Sequence, residues 1–482
     1  IVHGCRVRGC GCGLASRTLA ASFHRNYTIM TIYSNILDMV GHTPMLEVTH
    51  FDTGPCRLLL KLELANPGGS IKDRIGISMI EEAEKRGDIS PGDTLVEATA
   101  GNTGIGLALV AAQKGYKLIL VLPDKMSQEK IFNLRAMGAE VVLTRSDVGK
   151  GHPEYYQDLG KRIAEEQGAY FINQFGNPDN SLAHEQTTAP EIFEQTNGEV
   201  DAIVLGVGSS GTVSGLGKYF AEHAPKVELV LADPVGSILA DYINKGELGE
   251  GGSWLVEGIG EDFIPVIADF SQVTKAYSIS DAESFAAARE LLKKEGVLAG
   301  SSSGTLLAAA LKYCREQTEP KTVVSFACDT GNKYLSKLFN DFWMEDQGFI
   351  TREQHGDLRD LIGRPHSAQA TITVGPTDVV TTAHNRLRNA GFSQLPVMDE
   401  GRLVGVITED AIIQHVFGKP DLMNAPVAEA MESAFIKLDK TTSVNNLVAM
   451  LHVQPYAAIM DGDEFLGLIT RSDVLNYMRR QI

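Results

Sequence analysis

From Met30 to about Met344 the chain alternates short apolar runs with segments of helical pattern, and no other property narrows its fold as much. TLVEA is followed by GNTGIGLALVAAQKG and then KLILVLP; AEVVLT, AIVLGVG, VELVLADP and TVVSFACD continue the series. Uniformly apolar strands need cover on both faces, and the amphipathic stretches between them are long enough to be crossover helices. This spells βαβ units and a parallel sheet, an α/β class. In such sheets ligands bind beyond the carboxyl ends of the strands, so the segments that follow each run are where chemistry is expected.

Past Met344 the alternation gives way to the polar stretch MEDQGFITREQHG, read as a linker over 345–356. A repeat follows over 357–482. Aligned without gaps, Gln394 to Val416 and Tyr456 to Met478 share Met-Asp, a glycine and an Ile-Thr pair. Upstream, Val380, Ala383 and Leu387 answer to Val444, Leu447 and Leu451. Two β-α-β-β-α copies, each too small to bury its own face, should pack as one module. Residues 1–29 differ from all of this, with four arginines and no acid. They read as cloning-derived or upstream sequence, with an organellar transit peptide as the alternative, which leaves 30–344 as the main α/β core. Cys5, Cys10, Cys12 and His24 lie in this leader without a second cluster at zinc spacing, so no metal site is assigned.

The net charge of -18 disfavours nucleic acid, whose phosphates call for clustered lysine and arginine. No apolar run approaches the roughly 18 residues of a membrane span. Cys56, Cys314 and Cys328 are dispersed, the usage of a reducing cytosol, and a cytoplasmic location is expected.

NPGGSIKDR, Asn66 to Arg74, places Lys72 behind glycines at a strand-to-helix turn. A lysine withdrawn from water loses its proton readily and becomes a nucleophile. VEATAGNTGIGLAL supplies a second loop. AIVLGVGSSGTVSGLG sets Gly206, Gly208, Gly211 and Thr212 between a strand and a helix, where free N–H groups and the helix dipole make an anion cradle. The spacing is not that of a nucleotide triphosphatase. A fourth loop, LAGSSSGTLLAAAL, brings Ser301, Ser302 and Ser303 to the head of an alanine-rich helix.

Together these loops resemble the fold-type II pyridoxal-phosphate enzymes, within them the cysteine synthase/cystathionine β-synthase family, over about Ile32 to Met344; the repeat resembles the paired CBS domains carried by some members. The resemblance implies two parallel-sheet subdomains plus a tandem CBS module, bound pyridoxal 5'-phosphate, and a homodimer or higher homo-oligomer. Lys72 would hold the cofactor as an internal aldimine and then act as the base at the α-carbon. Asn102 would meet the ring hydroxyl, and Gly208, Ser209, Ser210, Gly211 and Thr212 the phosphate. Ser302 would face the ring nitrogen; a neutral hydroxyl there does not hold it protonated as a carboxylate would, which suits loss of a β-substituent. Thr99, Ala100, Gly101, Thr103 and Gln174 would receive the substrate carboxylate, with Glu257 near the second substrate.

The implied reaction joins L-serine or O-acetyl-L-serine to L-homocysteine through an aminoacrylate, giving cystathionine, with hydrogen sulfide among the products of such enzymes. Two departures stand out: Ala100 replaces the usual serine of the carboxylate loop, and Glu261 stands in GIGEDFIP where the animal enzymes carry tyrosine. The haem-binding extension of the animal members is not recognisable, and no haem is expected. In the repeat, GLITRSD resembles a ribose-holding pattern through Thr470 and Asp473, which implies S-adenosylmethionine or an adenine nucleotide as ligand; in the first copy Ala411 occupies the matching position. The alternatives are an O-acetylserine-dependent cysteine synthase using sulfide and, from another class, a nucleotide-sensing scaffold.

Overall fold

The computed structural model describes residues 32–99, 101–124, 126, 128–367 and 370–479, so the leader and Ala100 lie outside the described residues. In chain order the core strands are β1 (Met45–Glu47), β2 (Arg57–Lys61), β3 (Thr94–Ala98), β4 (Lys117–Pro123) and β5 (Glu140–Thr144). β6 (Tyr170–Phe171), β7 (Ala202–Gly206), β8 (Glu228–Pro234), β9 (Val273–Ile279) and β10 (Thr322–Phe326) complete them. They form two sheets, β5-β4-β3-β6 and β1-β2-β10-β7-β8-β9. Every pairing is parallel except β1 with β2, which is antiparallel. That exception departs from the all-parallel reading. A three-residue edge strand returning through a loop needs no crossover helix, so no helical pattern announces it.

The helix Lys72–Arg86 ends at Gly87, whose left-handed backbone (φ 78°) caps it behind Lys85 and Arg86. It lies almost backbone to backbone on the helix Asn102–Lys114. A Cβ on Gly106 would sit 2.7 Å from the Lys72 carbonyl oxygen, and one on Gly76 would sit 2.8 Å from the Gly106 carbonyl carbon. Two glycines therefore bring the starts of the helices at Lys72 and Asn102 together. Below them Arg74 is locked by Glu63 (2.8 Å) and Glu191 (2.7 Å), and Glu191 also takes the buried Lys61 ammonium (2.6 Å). Two buried cations facing two carboxylates leave no net buried charge.

The C-terminal part carries β11 (Gln394–Asp399), β12 (Arg402–Thr408), β13 (Lys437–Asp439), β14 (Tyr456–Asp461) and β15 (Glu464–Thr470). The hairpins β11–β12 and β14–β15 bear a bulge at the same place, Val397/Met398 and Ile459/Met460, so the repeat extends to backbone irregularity. Each copy has its own apolar cluster, and Leu403, Ala458 and Phe465 form a third drawn from both. The first strand of the unit is β13 in the second copy; in the first it shrinks to a bridge between Val374 and Val397. Within 345–356, Phe349 and Ile350 pack on the core cluster, while Arg352 donates to the Ile362 carbonyl on the side of the repeat.

Candidate active site

Lys72 opens the helix Lys72–Arg86, within electrostatic reach of Cys328 and Asp329 after β10 and of Glu261. Burial lowers the pKa of its amine below the ordinary lysine range, against the opposing pull of Cys328, Asp329 and Glu261. The amine is thereby biased to the neutral, nucleophilic form. The loop before it is held from below: Gly68 N–H donates to Asp73 Oδ2 at 2.5 Å, and burial pushes the Asp73 carboxyl up to about 7.

Beside Lys72, Asn102 is held at both ends of its amide. Its Nδ2 donates to Asp329 (2.8 Å) and its Oδ1 accepts from the Lys333 ammonium (3.0 Å). Gly101, at φ 122°, turns the chain into that helix, and a Cβ there would come within 2.7 Å of the Lys130 side chain. Thr99 is buried and accepts from Gly101 N–H (3.1 Å). Thr103 donates to Gln174 Oε1 (2.7 Å), whose Nε2 donates to the Ala98 carbonyl (3.1 Å). Glu97, its carboxyl pushed up to about 8 by burial, accepts from Gln174 N–H (3.2 Å). Thr99 with Gly101, and Thr103 with Gln174, thus form two bonded pairs at the carboxyl end of β3.

Across the cleft, the loop after β7 is a cradle with groups left over. Ser210 adopts a left-handed backbone (φ 69°), and its buried hydroxyl has no partner among the described residues. A Cβ at Gly208 would sit 2.7 Å from Gly258 O, and one at Gly211 only 1.8 Å from Asn180 Oδ1. Asn180 donates to Ser209 Oγ (2.9 Å), and Thr212 Oγ1 lies 3.3 Å from His184 Nε2. Burial first, then Lys72 and Arg74, drives the His184 pKa well below its usual value, so that ring is neutral. An orphaned hydroxyl, two positions closed to any side chain and the N-terminus of the helix Gly211–His223 fit a phosphate monoester. Ser302 is buried at the start of the helix Ser301–Arg315, near the Cys328 thiol, which burial and then Asp329 push up to about 12. A neutral hydroxyl and a protonated thiol make a wall without charge, which fits an unprotonated ring nitrogen.

Glu257 adjoins the same helix start, its N–H donating to Ser301 Oγ (3.0 Å). Its oxygens are taken by Lys130 (2.5 Å) and Lys337 (2.6 Å), which outweigh burial and hold its carboxyl below the usual range. Thr470 and Asp473 lie elsewhere, in a cavity of about 780 Å³ within the repeat that is also lined by Phe342 of the core and Asp346 of the linker. Thr470 N–H and hydroxyl both donate to Asp473 (2.7 and 2.6 Å), a reciprocal cap on the helix Arg471–Arg479.

Sequence reasoning passed over the segment Cys328–Tyr334. It follows β10, so the rule about strand carboxyl ends pointed to it, but its residues are neither glycine-rich nor hydroxyl-rich. There Asp329 takes both Asn102 and the Tyr334 hydroxyl (2.8 Å each), and Lys333 donates to Asn102 and to the Gly68 carbonyl (3.0 and 3.1 Å).

Residues 36–329 match the family model described as pyridoxal-phosphate dependent enzyme, and 367–418 and 427–480 each match the CBS domain. A cystathionine beta-synthase of Dictyostelium discoideum is 36% identical over 464 residues, 93% of either chain. A cysteine synthase of Staphylococcus aureus is 41% identical over 311 residues, 64% of this chain and 97% of that one. Among solved structures, an O-acetylserine dependent cystathionine beta-synthase from Helicobacter pylori superposes with a TM-score of 0.60 at 39% identity, over 64% of this chain and 99% of that one. Among the described residues no helix is long and apolar enough to cross a membrane, and no group of His, Cys, Asp and Glu could hold a metal ion.

Proposed function

The chain belongs to the pyridoxal-phosphate-dependent enzymes, in the cystathionine β-synthase family with paired CBS domains, and we propose that it replaces the β-substituent of serine or O-acetylserine with the sulfur of homocysteine. The Cβ–O bond breaks and a Cβ–S bond forms. The oxygen leaves as water or acetate, and the thiol supplies the balancing proton. The cofactor contributes a carbonyl for the substrate amine and an electron sink at the α-carbon. Everything else falls to the chain.

The observation that carries this reading is the neutral-biased Lys72 amine, together with a loop after β7 closed to side chains at Gly208 and Gly211 and holding an orphaned hydroxyl. In this reading Lys72 holds the cofactor and moves the α-proton. Gly208 to Thr212 seat the phosphate, Asn102 orients the ring edge, and Ser302 faces the ring nitrogen without charging it. Thr99, Gly101, Thr103 and Gln174 bind the substrate carboxylate. Glu257 acts near the second substrate through the lysines it holds. Ala100 lies outside the described residues, and the missing hydroxyl supports acceptance of O-acetylserine at least as readily as serine, because acetate leaves without help. The name of the Helicobacter pylori protein favours the same order.

We assign the core to 30–344, the linker to 345–356 and an adenosyl-binding module to 357–482, in a cytoplasmic homo-oligomer. Product analysis tests the whole: serine and O-acetylserine, each against homocysteine and sulfide. Cystathionine as the main product with homocysteine is expected. Cysteine from sulfide with no cystathionine would replace this reading with that of a cysteine synthase.

A further inference from the structure

The loop Glu257–Glu261 carries two glutamates in opposite circumstances. Glu257 has both oxygens occupied by Lys130 and Lys337. Glu261 has its backbone fixed, its N–H donating to Ser237 Oγ (3.1 Å) and its carbonyl accepting from Ile238 N–H (3.1 Å) and the Ser237 hydroxyl (3.1 Å). Among the described residues, no hydrogen bond or ion pair reaches its carboxyl.

That carboxyl is aimed into the cleft. Its Oε1 lies 3.9 Å from where a Cβ on Gly208 would be. The charged and titratable groups that feel it are Lys72 on the floor, Asp233 and Asp262 on its own side, and Tyr155 and Tyr156 at the start of the helix that covers the smaller sheet. Next to it Phe263 packs on Phe175 (ring centroids 5.7 Å) and takes the Lys150 ammonium over its face (5.4 Å). Tyrosines of one subdomain thus lie within electrostatic reach of a single unpaired carboxyl carried by the other. Burial, then Asp262, raises its pKa well above the usual range, so it rests protonated and ionises when a cation comes to stand beside it.

We propose that Glu261 is the specificity residue for the second substrate and that it selects a thiol bearing a primary ammonium over one without. The inference rests on the β-replacement reading and deepens it: an unpaired carboxyl that ionises beside a cation suits an alkylammonium, whereas hydrosulfide, an anion, gains nothing from it. Glu257, paired to two lysines, has no oxygen left over for that task.

The test compares wild type with Glu261→Gln, which keeps the shape and removes the charge. Each is assayed as holoenzyme with homocysteine, its deamino analogue 4-mercaptobutyrate, and sulfide. The variant should keep the visible absorbance of the bound cofactor and its kcat/KM for sulfide and 4-mercaptobutyrate. Its kcat/KM for homocysteine should fall by roughly ten- to hundredfold, the range for losing one hydrogen bond to a charged group. Glu261→Asp should recover part of the loss. An unchanged preference for homocysteine, an equal fall for all three thiols, or loss of the cofactor absorbance would each overturn the proposal. If wild type makes no cystathionine, the substrate reading fails by itself. Cysteamine against 2-mercaptoethanol then decides the role of Glu261 by the same ratio.

Discussion

The catalytic core and the C-terminal module are built on opposite terms with respect to buried charge. The core hides Lys61, Glu63, Asp73, Arg74, Glu97, Lys130, Asp233, Asp329 and Lys333, whereas in the module Thr408 is the buried polar side chain among the described residues. Desolvating an ion costs several kcal/mol even after relaxation, so a fold holds this many only where each is paired or its protonation is shifted to use. Both occur here. Lys61, Arg74, Glu63 and Glu191 neutralise one another beneath the site, while Lys72, Asp73 and Glu97 keep displaced pKa values around it. Among the described residues the module buries no comparable set of ions; its polar groups gather at the cavity, where Asp473 is the acid that burial shifts.

The harshest way to break this contrast is Lys72→Ala. The visible absorbance of the holoenzyme and all β-replacement should vanish while circular dichroism stays that of a folded protein, since the role is covalent. Turnover without added amine would remove Lys72 from the mechanism. The lowered pKa also fixes a sign. The neutral amine is the reactive form, so cofactor uptake by the apo-protein should persist as pH falls below the ordinary lysine range. A midpoint within that range would mean that burial does not act on this amine as described.

Next in size is stability. Arg74→Met leaves Glu63 and Glu191 facing each other with only Lys61 between them, and should cost about 3–5 kcal/mol, the range for orphaning one side of a buried pair. In the module, Lys440→Met removes the partly exposed pair with Asp461 and should cost no more than about 1 kcal/mol. Chemical denaturation of both variants reads the comparison directly. Equal losses would show that the core's charges are not load shared with the fold.

What could be read in advance follows the same division. Sheet and helix order in the core were legible because strands buried on both faces are apolar without interruption, as β4 is. The four site loops were legible because a close backbone approach needs glycine and an anion cradle needs hydroxyls. Lys130, Asp329 and Lys333 were not: ordinary charged residues gain meaning only from partners distant in sequence, as Lys130 does from Glu257, 127 positions away. β1 escaped because three residues carry no period. In the repeat, Thr470 and Asp473 were found as a ligand pattern, yet their bonds to each other are those of a helix cap, a second use that the same spacing serves equally well.

That double use makes the last and smallest effect the most informative about the module. Asp473 spends Oδ2 on Thr470, while its Oδ1 faces Gly363, where a Cβ would stand 2.6 Å away, so one oxygen remains on the cavity side. Burial raises its pKa, and the charge of Asp346 adds to that, so an ordinary carboxylate is not at rest there. If the free oxygen accepts the ribose hydroxyls of an adenosyl ligand, calorimetric titration of wild type with S-adenosylmethionine, AMP and ATP should give heat with at least one of them. Asp473→Ala should weaken that binding by roughly ten- to hundredfold, the loss expected for a hydrogen bond to a charged group. The cap is lost in the same variant, at about 1 kcal/mol, so Asp473→Asn separates the two uses. The amide oxygen can still cap Thr470 N–H, but it cannot offer the second anionic acceptor. Weak binding with wild-type melting temperature in Asp473→Asn assigns the residue to the ligand. Full affinity in both variants assigns it to the helix alone, and the ribose role falls.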